Sequence, residues 1–437
     1  MRWLGLTLAA WLLLVGCGVP AVLALSDAQQ LVVEAWRLVN QSYVDPAHLD
    51  RVQWRRLRQK ALEKPIRTSK DAYDAIEAML MPIGDSYTRI LRPADFGALR
   101  ATTEGSVCGV GLQLALREGD GGIVVIAPLD GSPAAEAGIA SGSEVVLVNG
   151  SPARELGLEK TAASLRGAAD TDVVVTLRSP QRPGGSEREV VLRRRKVKLL
   201  PVRSRTISAA DRRLGYLRIT QFSEPVPKQW RRAMEAWARP PHIDGLILDL
   251  RNNSGGLVSA GVAVANDLLD GAPIVETEDR GGMNARQQAA PGRLYSGPMV
   301  TLVNGGTASA SEILAGALQD NGRSALVGDR TFGKGLIQTL ISLGDGSGLT
   351  VTVARYLTPD GHDIQEQGIG PDVELTPPEP LNPGGPEDSW LEQAQQLLLE
   401  QIATAAAASP AAAAPASWSS VESVASSSAA AMDIAGP

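Results

Sequence analysis

Apolar residues recur along this chain with three rhythms, and each rhythm predicts a different kind of element. Over 26–97 the rhythm is helical. Leu31, Ala35, Trp36 and Val39 form one stripe and "AYDAIEAMLMPIG" (72–84) another, before "GDSYTRILRP" (84–93) breaks into loop. From about 100 to 197 short alternating runs take over. "CGVGLQLAL" and "GGIVVIAPL" flank "REGDGG" as a hairpin, and "SPAAEAGI" reads as a short helix capped by Ser132 with Pro133 at its first position. "SEVVLVNG" is a strand, "ARELGLEKTAASLRG" a helix, and "TDVVVTLRS" with "REVVLRRRKV" a closing strand pair. Two helices over a small β-barrel are expected here, which suits a binding module better than an enzyme core.

From 199 to about 380 continuous apolar strands alternate with helices. "DGLILDL" runs through "NNSGG" into "LVSAGVAVANDLL", and "MVTLVN" through "GGTA" into "SASEILAGALQDNG", with "SALVG" following. Two βαβ-like units predict an α/β sheet with helices on its faces. Its site is expected where strands end in turns into helices, and both Gly-Gly turns lie there. "GLIQTLISL" and "LTVTVARYLT" around "GDGSG" add a hairpin. Beyond 385, "DSWLEQAQQLLLEQIA" is an amphipathic helix, and the Ala/Ser/Pro-rich remainder has too little bulk to bury. The expected division is 1–25 export signal, 26–98 helical domain, 99–197 binding module, 198–385 α/β core, 386–404 helix and 405–437 tail.

A length of 437 residues agrees with several domains, and a net charge of -6 gives no reason to expect nucleic acid as a partner. "LRRRKVK" (192–198) alternates as a solvated strand face would. The short basic start and the apolar run to Leu25 read as an export signal, with "VLA" before Leu25 as a cleavage site. "LVGC" ending at Cys17 matches a lipoprotein pattern, and the run is also long enough to span a bilayer, so membrane association through the N-terminus stays open. Cys17 and Cys108 are the two cysteines, and His48, His242 and His362 the three histidines; their spacing supports neither a metal site nor a Cys–His dyad, and no cofactor is implied.

The chemistry concentrates in "NGGTASASEI". Ser309 stands where a strand turns into a helix, beside free backbone N–H groups that would suit an oxyanion. It is equally placed to be a plain N-cap. A nucleophile needs a base. His362 has no carboxylate–His–Ser logic around it, and neither Gly-x-Ser-x-Gly nor Ser-x-x-Lys occurs. Lys334 remains, between the glycines of "TFGKG". Burial would disfavour its ammonium and bring its pKa down, whereas a solvated loop lysine would do nothing. Gln338, four residues on, would share its face in a strand and could orient the amine.

Read together, these residues resemble one family. "NGGTASASEILAGALQDNGRSALVGDRTFGKGLIQ" closely resembles the active-site segment of the carboxyl-terminal processing proteases, the tail-specific Ser/Lys peptidases, and "WRLVNQSYVD", "GDSYTRIL", "GVGLQL", "GLILDLRNNSGG" and "YLTPDGHDIQEQGIGPDVEL" look like family blocks in family order. The resemblance implies an α/β multidomain protein with a helical N-terminal domain, a PDZ-like β-barrel and a ClpP/crotonase-like catalytic core. It implies Ser309 as nucleophile, Lys334 as general base and Gln338 as the residue steadying it. Oxyanion donors would be backbone N–H groups of Ala310 and of Gly255 and Gly256, with Ser311 structural. The loop Gly109, Val110, Gly111, Leu112 would hold a substrate's C-terminal carboxylate, and Arg166 matches a PDZ arginine that helps set the active arrangement in some members. Ser254 departs from the pattern, standing where the family often has proline.

The implied function is an exported serine endopeptidase, in periplasm or thylakoid lumen, that takes proteins by their C-terminal tails and needs no metal. "WRRLRQ" and "YLTP" look most like the photosynthetic branch, whose members trim the precursor of the photosystem II D1 protein. The alternative is a PDZ scaffold that binds C-termini without cutting.

Overall fold

The strands "GLILD" and "MVTLV" are apolar throughout because they lie in the middle of a sheet covered on both faces, where alternation would leave polar groups buried. In the computed structural model, which describes residues 25–116, 121–129, 131–140, 143–178, 187–282, 284–376 and 383–408, this core sheet has six strands. Their order is Val202–Ala209, Arg212–Ile219, Gly245–Asp249, Met299–Val303, Ala325–Gly328 and Val373–Glu374. The first pair is antiparallel and the rest are parallel. One face carries the helices Val226–Trp237, Val258–Leu268 and Ala310–Asp320, through Trp230, Val264 and Leu314 against Leu246, Leu248 and Val303. The other face is closed by Ser389–Ala408, whose Trp390, Leu391, Ala394 and Leu398 cover Tyr216, Ile247, Val300 and Leu302. That helix runs to Ala408 instead of stopping at 404.

A second, five-stranded sheet holds the hairpin Leu336–Ser342 and Gly348–Leu357 together with Pro273–Asp279, Asn284–Gln288 and Arg89–Leu91. The last of these corrects the expectation of loop in "GDSYTRILRP". Ile90 pairs with Leu349 and Leu91 with Gly348, and three residues are too few to show a period. The N-terminal helices Asp27–Ser42, Pro46–Arg51, Trp54–Glu63 and Ser69–Leu80 pack Leu31, Val39 and Ile76 onto this sheet with Leu349 and Val351.

In the segment between, Leu112–Leu116 and Ile123–Pro128 form the expected hairpin, continuing through Glu144–Val148, Asp172–Arg178 and Glu187–Arg193. "CGVGLQLAL" is not one strand. Ser106–Gly109 leaves at Val110 to pair with Arg195–Lys198 as a separate two-stranded sheet. Ser132 caps the Pro133–Glu136 helix as expected, its hydroxyl accepting from Ala135 N–H at 3.2 Å. The export segment to Ala24 with Cys17, and the tail from 409, lie outside the described residues; among the described residues no helix is long and apolar enough to cross a membrane.

Candidate active site

Two neighbouring parallel strands deliver the two Gly-Gly turns to the same edge, and side chains knit the turns together. Asn252 N–H donates to Asn304 Oδ1 at 2.9 Å, Asn304 Nδ2 to Asn252 Oδ1 at 2.8 Å, and Thr307 Oγ1 to Leu250 O at 2.9 Å. Ala308 N–H and Ser311 Oγ both donate to Asn253 O, at 3.0 and 2.9 Å, so the second serine of "SASE" is a strut between the turns. Gly255 (φ +97°) lies so close to the serine that a Cβ would stand 2.8 Å from Ser309 Cβ. At Gly256 (φ +132°) a Cβ would stand 1.9 Å from Phe222 O. Neither position admits a side chain.

Ser309 is buried and has φ 57°, ψ -119°, a conformation a non-glycine residue adopts only when its surroundings enforce it. It opens the Ala310–Asp320 helix at the end where the dipole is positive. The N–H groups of Ala310 and Gly256 make no hydrogen bond to a described residue, whereas Gly255 N–H is taken by Asn253 Oδ1 at 3.0 Å.

The enforcing group is Glu312, fully buried one turn into the helix. Its carboxylate accepts from Ser309 N–H (2.8 Å), Thr331 Oγ1 (2.6 Å), Gly333 N–H (2.7 Å) and Lys334 N–H (2.9 Å). Four donors to one ionised group make a strong clamp. Tyr356 bridges the same two residues from the hairpin, its one hydroxyl proton shared between Lys334 O at 2.7 Å and Ser309 O at 3.1 Å. Burial, and Glu312 beside it, push that phenol well above the usual tyrosine range.

Lys334 is thus fixed beside Ser309 by its backbone, but its half-buried side chain turns elsewhere. Nζ lies 4.8 Å from the centroid of the Tyr87 ring, on the N-terminal segment, and makes no hydrogen bond to Ser309 Oγ in this structure. Burial, then the Arg89 charge, hold the amine below the ordinary lysine value, while Asp85 and Glu312 act the other way. The strand begins only at Leu336, so Lys334 lies outside the alternation expected to pair it with Gln338; the Gln338 carboxamide donates to Thr352 Oγ1 at 3.4 Å, where the register shifts opposite Val353.

None of the three histidines joins the serine: His48 Nε2 meets Ile83 O, His242 Nδ1 meets Trp237 O, and exposed His362 is in a turn with Thr358. Gly109 forms an isolated bridge with Arg166, whose exposed side chain, among the described residues, donates to Ala162 O of the preceding helix. Below the turns, wholly buried Arg251 is held by Asp249 (2.7 Å) and by Asp388 (2.6 Å) from the segment leading into the last helix. Sequence reasoning missed Glu312, Tyr356, Tyr87 and this Arg251 network. Only Glu312 carried a local signal, the Ser-x-x-Glu spacing of a capping box.

With this geometry described, comparisons with known proteins give consistent findings. Residues 213–375 match the model of peptidase family S41 and residues 100–178 that of the PDZ domain. The chain is 42% identical to a carboxyl-terminal-processing protease of Picosynechococcus over 88% of this chain and 92% of that one. It is likewise 42% identical to the chloroplastic C-terminal processing peptidase of Tetradesmus obliquus, over 81% and 78%. A solved photosystem II D1 C-terminal processing protease superposes with a TM-score of 0.60 at 40% identity, covering 86% of this chain and 98% of that one.

Proposed function

We propose a mechanism for this chain, which belongs to peptidase family S41 and is a serine-type endopeptidase of the carboxyl-terminal-processing group: Ser309 is its nucleophile and Lys334 its general base. A substrate tail is held at its carboxylate by backbone N–H groups of the PDZ loop from Gly109 through Val110 and Gly111 to Leu112. Arg166, bridged to Gly109, steadies that loop. The Lys334 amine leaves the Tyr87 face and, uncharged, takes the proton of the Ser309 hydroxyl as it attacks the scissile carbonyl. Gln338 steadies the amine once it has moved. The oxyanion is met by the N–H groups of Ala310 and Gly256, while Gly255 keeps the space beside the serine open. Lys334 returns the proton to the leaving amine, and water then hydrolyses the acyl-enzyme.

One observation carries the pairing: a single buried carboxylate, Glu312, binds the backbone of both Ser309 and Lys334. Purified Ser309→Ala and Lys334→Ala proteins are each expected to lose about 10⁴-fold or more in kcat/KM on a peptide with a free C-terminus, at unchanged melting temperature. Full turnover by Lys334→Ala would remove the base from this account. The photosynthetic relatives make the D1 precursor the first substrate to test, and a thylakoid lumen or periplasm the compartment. Ser309→Ala used as a trap should retain the uncut precursor.

A further inference from the structure

Among the described residues of the core, 202–374, Phe332 is the one exposed large hydrophobic side chain, at 58% exposure. Its neighbours make that exposure compulsory. Thr331 is buried, its hydroxyl bonded to Glu312 and accepting from Ile369 N–H at 2.7 Å. Gly333 is also buried, bonded through N–H to Glu312 and through its carbonyl to Glu366 N–H at 2.9 Å. Phe332 N–H itself donates to Thr307 O at 3.0 Å, two residues before the serine. Backbone pinned on both sides turns the ring outward, although leaving an aromatic ring in water is unfavourable and a small loop shift would otherwise hide it.

We propose that Phe332 is the apolar wall of the substrate cleft, laid against one apolar side chain of the polypeptide beside the scissile bond. This rests on the proteolytic reading of Ser309, and three features support it. Its backbone is tied to the site, because Thr307 O takes the Phe332 N–H and Glu312 binds Thr331, Gly333 and Ser309 together. It is rigidly presented, so little ordering is lost when a chain binds. It also stands two residues before Lys334, on the loop that carries the proposed base.

The experiment compares full-length wild-type protein with Phe332→Ala and Phe332→Leu on peptides that differ at one position, Leu against Ser, at each residue flanking the cut. Wild-type protein should favour Leu by about tenfold or more at one position. Phe332→Ala should flatten the preference there by raising KM for the Leu peptide several-fold more than for the Ser peptide, and melt as wild-type does; Phe332→Leu should restore it. An unchanged preference, or an equal loss on every peptide as a contact with the PDZ domain would give, overturns the assignment while leaving the protease intact. No cleavage by wild-type protein overturns both.

Discussion

Four donors converge on Glu312 and fix the backbone of Ser309 and Lys334, the proposed nucleophile and base, while among the described residues the Lys334 amine makes no hydrogen bond and lies over the Tyr87 ring. The two halves of the site are therefore held by opposite means. The serine turn is over-determined: Asn253, Asn304, Thr307, Ser311 and Tyr356 each bond across it, so a strained φ persists. The half-buried Lys334 side chain is held by no hydrogen bond among the described residues. A cation–π contact favours the ammonium, the form that cannot act as base, whereas burial favours the amine. The difference teaches that geometry is set during folding and readiness is left to one side chain.

The first way to break this comparison is at the clamp. Glu312→Ala leaves four buried donors without their acceptor, and unfolding by urea should show a loss of about 3 kcal/mol or more, with cleavage abolished. Wild-type stability would mean that the turn does not depend on the carboxylate. Tyr356→Phe removes one link from each half and keeps the ring, so about 1 kcal/mol of stability and roughly tenfold in kcat should be lost, with KM unchanged.

The finest probe addresses the loose half. Because the base must be neutral, kcat/KM should rise with pH up to the lowered lysine pKa. A limb governed by a group near pH 6.5, the ordinary histidine value, would instead point to an imidazole. Tyr87→Leu keeps an apolar neighbour but removes the π face, so the ammonium loses support and the limb should move down by about half a unit. Tyr87→Phe should not move it. The same lowered pKa has a stability counterpart. Between the folded value and the ordinary 10.5 the unfolded chain binds more protons, so stability attributable to Lys334 rises with pH in that window.

Much of this was legible in the sequence because it was local. Continuous strands, the Ser132 cap, the Gly-Gly turns and a serine at a helix start are all written within a few residues of one another. What escaped reading depends on distant partners. Arg89–Leu91 becomes a strand only because Gly348–Leu357 is there to receive it, and Asp388 is silent until it meets Arg251. The Gln338–Thr352 contact escaped for the same reason, since it depends on a register shift opposite Val353 that no period-two pattern announces. Glu312 could have been found. A carboxylate three residues after a helix-opening serine has a known local use, and here it reaches beyond the cap to the loop of the base.

The partner of Arg251 has a consequence for timing. Asp388 is translated long after the nucleophile, near the end of the described chain, and until it arrives the guanidinium under the Asn252–Gly256 turn has only Asp249 opposite it. A growing or prematurely terminated polypeptide would hold that turn over an incompletely matched charge. A chain cut short before Asp388 is therefore expected to carry a loosened Asn252–Gly256 turn.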